Sequence, residues 1–138
     1  MAVMRDVSEK RPALWVPRAL AAVLALGGCW WGLLLSPWIF RPEETLGAVV
    51  VFGPGYLITV AYIIRLFSTP PLAARRLIWV GSLLVQGTWL VWDAWGISAA
   101  ILAGRSMHEM WLPSAWWIFA TVASAACLFT ETSKAAGR

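Results

Sequence analysis

Residues 19–40 read ALAAVLALGGCWWGLLLSPWIF, 22 residues without a charge, held between Arg18 and Arg41. A helix rising ~1.5 Å per residue needs about 20 such residues to cross the ~30 Å hydrocarbon core of a bilayer. This stretch decides the fold because its pattern recurs. Residues 45–64, TLGAVVVFGPGYLITVAYII, place 20 uncharged residues between Glu44 and Arg65. After Arg76, 16 uncharged residues lead to Asp93 and 11 more to Arg105, while Glu109 and Glu131 enclose another 21. The expected fold is all-α: a polytopic integral membrane protein, one membrane domain over residues 1–138, with four transmembrane helices at roughly 18–40, 45–64, 77–97 and 111–130. The third span is ambiguous, since residues 77–104 as one helix would be ~42 Å long. It must tilt, project into water or break near Gly96.

Composition agrees. The 138 residues are 60% hydrophobic and 13% charged, with a mean hydropathy of +0.71. A soluble domain carries about 25% charged residues, so there is no room for a sizeable aqueous domain.

Orientation follows from Lys and Arg, which resist translocation. An even number of spans puts both termini on one side. That side, with the loop between the second and third spans, holds nine bases (Arg5, Lys10, Arg11, Arg18, Arg65, Arg75, Arg76, Lys134 and Arg138) against two on the other, Arg41 and Arg105. Both termini are therefore expected in the cytoplasm, in a multi-pass protein of the cell membrane, of the bacterial inner-membrane type. The net charge of +4 is a signature of insertion. Nucleic-acid binding needs a folded basic surface, and these charges are spread over short segments, so no nucleic-acid partner is expected. Arg65, Arg75 and Arg76 suit anionic lipid headgroups instead.

A basic start followed by Leu26-Gly27-Gly28-Cys29 resembles a bacterial lipoprotein signal with its lipidated cysteine. The apolar run continues past Cys29 through Trp30, Trp31 and Leu33 to Leu35, so cleavage is not expected. Cys29 in mid-bilayer and Cys127 near the cytoplasmic end of the fourth span are expected to be free thiols. Ser36-Pro37-Trp38 resembles the tripeptide of the small bacterial SPW-repeat membrane proteins over residues 28–60. It occurs once, assigns no family and implies no reaction.

Asp93 is the first candidate for chemistry, because a carboxylate within a span costs energy unless it faces protein or water. Ser82, Gln86, Trp89 and Asp93 are spaced four, three and four apart and share one helical face. This polar stripe either lines a path or site for a cation, or marks the outer end of the span, with Asp93 pairing to Arg41 or Arg105 and Gln86 bonding a neighbouring helix. In the second span, Pro54 within Gly53-Pro54-Gly55 frees the carbonyl of Val50 and predicts a kink. Tyr56 and Thr59 lie just inward of it, as binding residues or as packing.

Eleven tryptophans are the most unusual feature of the composition. Trp15 and Trp79 suit the inner interface, and Trp38, Trp89, Trp92, Trp95, Trp111, Trp116 and Trp117 fall toward the outer half. They form an aromatic belt or, with Asp93 and Glu109, a pocket for an amphiphilic cation. His108 is a single imidazole without a second ligand, so no metal site is expected, and no cofactor. Gly28 and Gly32 form GxxxG, and Gly96, Ala100 and Gly104 repeat small residues every four, so helix interfaces are expected at both. No serine or cysteine has a base beside it in sequence, and no enzyme is expected.

The function these features favour is a small non-catalytic integral membrane subunit or scaffold, packing with other membrane proteins, with copies of itself as a homo-oligomer, or with lipids of the bilayer. The alternative is a small oligomeric transporter or channel for a cation, a proton or an amphiphilic cation, with Asp93 at its site.

Overall fold

The computed structural model describes residues 12–39, 43, 45–106 and 111–136. Among these the chain forms four helices: α1 (Pro12–Ile39), α2 (Thr45–Phe67), α3 (Leu72–Leu102) and α4 (Trp111–Ala136). Each holds a stretch long and apolar enough to cross a membrane, at Trp15–Leu34, Leu46–Phe67, Leu72–Leu102 and Leu112–Thr132. The fold is all-helical, with the four candidate spans of a multi-pass membrane protein.

All four helices run past an expected end of their spans, and α3 the furthest. Its 31 residues make a rod of ~46 Å, continuous through Gly96, so the helix does not break there. A glycine in a helix costs only about 1 kcal/mol, whereas each backbone group released into an apolar surrounding costs several. The helix stops instead at Gly104, the one described glycine with positive φ, at 66°. The N–H of Gly104 bonds the carbonyl of Ile101 and that of Arg105 the carbonyl of Ala100, both at 3.0 Å. This paired closure is a Schellman motif, which needs a residue free to adopt the left-handed conformation. Gly104 therefore ends the helix rather than extending the Gly96-Ala100 stripe expected of it. α2 likewise continues through Gly53-Pro54-Gly55.

The chain divides into two compact units, Met1–Pro70 and Pro71–Arg138. The division falls at Pro70-Pro71, where each proline disfavours helix in the residue before it.

In the first unit α1 and α2 pack antiparallel. Arg18 Nη2 donates to Thr69 Oγ1 at 2.6 Å, Gly28 lies against Thr59, and Gly32 against Tyr56. The residue numbers of each pair add to 87 or 88, a register held over about four turns. The seam of α1 is mostly small beside a fully buried Leu24: Ala21 and Ala25 are buried, and Gly28 and Gly32 continue at the same alternating spacing. Opposite them Ile58, Thr59 and Tyr62 are buried on α2. A Cβ on Gly28 would overlap the Thr59 side chain, and one on Gly32 would come within 2.8 Å of the Tyr56 ring. Glycine at both positions lets the backbones approach.

Candidate functional site

The polar residues of the second unit gather on one seam between α3 and α4. Arg75 Nη1 lies 2.8 Å from Glu131 Oε2, Ser82 Oγ 2.6 Å from Ser124 Oγ, the Trp89 and Trp117 rings stack 5.6 Å apart at 16°, and Ser114 Oγ donates to Asp93 Oδ2 at 2.5 Å. The residue numbers of these pairs add to 206 or 207. Arg75, Ser82 and Trp89 are seven apart, as are Glu131, Ser124 and Trp117. A seven-residue repeat keeps one seam facing its partner along an antiparallel pair at a shallow crossing angle.

Alternation of four and three fills in the rest of the α3 face: Arg75, Trp79, Ser82, Gln86, Trp89, Asp93. Of these, Trp79, Ser82, Gln86 and Asp93 are buried, and on α4 Ala120, Ser124, Cys127 and Glu131 are buried on the matching stripe. Either serine can donate across the pair, and the Ser124 hydroxyl also lies 2.6 Å from the carbonyl oxygen of Ala120, to which it can donate.

The two carboxylates of the seam differ in their partners. Glu131 is held by the guanidinium of Arg75, with the two side chains 4% and 18% exposed. Asp93 is 9% exposed and accepts from the neutral hydroxyl of Ser114. No cation among the described residues forms an ion pair with it, Arg105 included.

The structure thus brings Asp93, Gln86 and Trp89 together on the seam. Tyr56 and Thr59 belong to the first unit, where each donates to a backbone carbonyl, Tyr56 to Gly32 at 2.9 Å and Thr59 to Gly55 at 2.8 Å. Gly28 and Gly32 face those two residues within the same helix pair. At Gly96, no side chain or other backbone of the described residues lies within 4 Å of where its Cβ would be.

Of the three arginines expected at lipid headgroups, Arg65 is buried at 1% exposure, Arg75 pairs with Glu131 and keeps 18% exposure, and Arg76 is half-buried. Trp79 is also fully buried, because it falls on the packed face of α3, and so does not serve as an interfacial anchor. Trp92 and Trp95 do face outward, edge to face at 5.7 Å. Neither cysteine is in a disulfide; Cys29 is exposed and Cys127 buried. His108, Glu109, Arg41, and the side chains of Trp38 and Trp111 lie outside the described residues.

Ser114, Ser124 and Glu131 are the residues that reading α3 alone misses. For Ser124 and Glu131 the signal is the seven-residue spacing Glu131, Ser124, Trp117, the mirror of Arg75, Ser82, Trp89. No protein-family model, no curated protein and no solved structure matches this chain.

Proposed function

We propose that the chain is a small non-catalytic membrane subunit or scaffold that packs with other membrane proteins and with lipid. Its termini face the cytoplasm, and its home is a cell membrane of the bacterial inner-membrane type. The observation that carries this reading is how little of each span its own helix pair covers. Only 17–22% of each apolar stretch is buried, and large apolar side chains such as Leu26, Leu33, Leu46, Leu57 and Val91 point away from the protein. In a bilayer such surface is free for lipid tails and for other helices, whose association rests on close packing.

The first unit also offers little to a solute path, because Tyr56 and Thr59 spend their donors on backbone carbonyls. A transport route would call on polar groups from several spans. Nine bases against two support the orientation.

The test is purification of the tagged chain in mild detergent after cross-linking in its native membrane. Recovery of a second membrane protein, or of a second copy of this chain, in fixed ratio is the expected result. A chain that elutes as a monomer with lipid only, and that cross-links to no protein, overturns the reading.

A further inference from the structure

We propose that the Asp93 end of the α3–α4 seam binds an organic ammonium group. The site has three parts, all within the second unit, and none depends on the subunit reading.

The first is the carboxylate itself. A charged group inside an apolar span is stable only when it is paired with an opposite charge or well hydrated. The same seam supplies the contrast: Glu131 comes with its own cation, Arg75, whereas Asp93 comes with one neutral hydroxyl. A carboxylate has about four acceptor positions on its two oxygens and Ser114 has one proton to give. Among the described residues, no cation pairs with Asp93.

The second part is aromatic. Trp89 precedes Asp93 by four residues and Trp117 follows Ser114 by three, so the stacked indoles form the next rung of the seam, about 5–6 Å along it. Indole faces attract a desolvated cation within ~6 Å of the ring. The third part is room. Gly96 follows Asp93 by three residues on the same face, and no described residue lies within 4 Å of where its Cβ would stand. A long side chain there, such as leucine, would stand about one turn from Asp93 on the same face and narrow the approach to it.

These parts select the ligand class. A metal ion such as Ca²⁺ needs six to eight oxygens, and the rung provides one carboxylate and one hydroxyl. An alkylated ammonium needs one counter-charge and aromatic faces, and its chain can remain in the lipid beside the exposed Trp92. The ammonium can belong to a lipid headgroup or to a free amphiphile.

The experiment uses the full chain in nanodiscs of phosphatidylglycerol, which carries no ammonium, and measures uptake of radiolabelled dodecyltrimethylammonium below its micelle concentration. The expected result is a saturable component near one per chain above linear partition. Asp93→Asn and Gly96→Leu should each weaken it by about tenfold or more, and Glu43→Gln, in the exposed turn after α1, should not. Should Asp93→Asn fail to fold, Gly96→Leu decides, because no described residue lies within 4 Å of where its Cβ would stand. Repeating the titration in nanodiscs containing phosphatidylethanolamine and phosphatidylcholine separates the sources. A weakened apparent affinity identifies the headgroup as ligand, and an unchanged one identifies the free amphiphile. Linear partition alone, or a saturable component untouched by both substitutions, overturns the proposal.

Discussion

The hydroxyl of Tyr56 donates to the carbonyl oxygen of Gly32 at 2.9 Å, across the seam between α1 and α2, and the same ring lies where a Cβ on Gly32 would have to stand. One contact therefore explains both residues. The glycine lets the ring in, and the ring places its one donor on the backbone that the glycine exposes. Three residues further along α2, Thr59 fills the corresponding space at Gly28. In an apolar surrounding such close approach, with a hydrogen bond across it, is what holds two helices together.

Size rather than hydrogen bonding should dominate this contact. Gly28→Leu is expected to destabilise the first helix pair by about 1–3 kcal/mol, the usual cost of overpacking, and adding Thr59→Ala should recover part of the loss. Tyr56→Phe, which removes only the donor, should cost about 0.6 kcal/mol. Unfolding in sodium dodecyl sulfate followed by circular dichroism measures both, and a larger effect for Tyr56→Phe than for Gly28→Leu would contradict this account.

At the other helix pair the Arg75–Glu131 contact should behave as a buried ion pair. Removing one partner strands a charge, so Arg75→Met or Glu131→Met alone should cost several kcal/mol, toward the lower end of the ~3–5 kcal/mol range because Arg75 retains some exposure. The double substitution should be closer to the native protein than either single one. Additive losses in a double-mutant cycle would show that the two side chains act independently.

Ser114→Ala and Asp93→Asn should move stability in opposite directions. The first removes the one donor to a buried carboxylate and should cost about 1–3 kcal/mol. The second keeps size and hydrogen bonding while discarding the charge, and eases insertion by an amount below the ~3 kcal/mol of the bilayer centre. Thermal unfolding of the two variants side by side is the check, and a stabilised Ser114→Ala is incompatible with the geometry.

Orientation is tested with single cysteines in a background lacking Cys29 and Cys127. Cysteines at Ala73 and Ala135 should resist a membrane-impermeant thiol reagent in intact cells, and one at Ser106 should react. Ala73 and Ser106 are both exposed on the protein, so their difference reports the membrane. Labelling at Ala73 without labelling at Ser106 reverses the topology.

The four helices and the inward face of Ser82, Gln86, Trp89 and Asp93 were legible from the chain alone, because both signals are local. An uncharged run of about 20 residues reports a span, and spacing of three and four reports a face. Sequence could not say what meets that face. Arg75 reads as a juxtamembrane base, and only register sets Glu131 against it. Tyr56, Thr59, Gly28 and Gly32 read as two unrelated features until α1 and α2 are laid side by side. Gly104 reads as a packing residue, yet the reach of its N–H to Ile101 makes it a helix end. Burial in an apolar phase is a property of each segment and is written in its composition. Pairing is a property of two segments at once, and it is decided only when the backbones come close enough for one register to bring charge to charge, ring to ring and side chain to glycine.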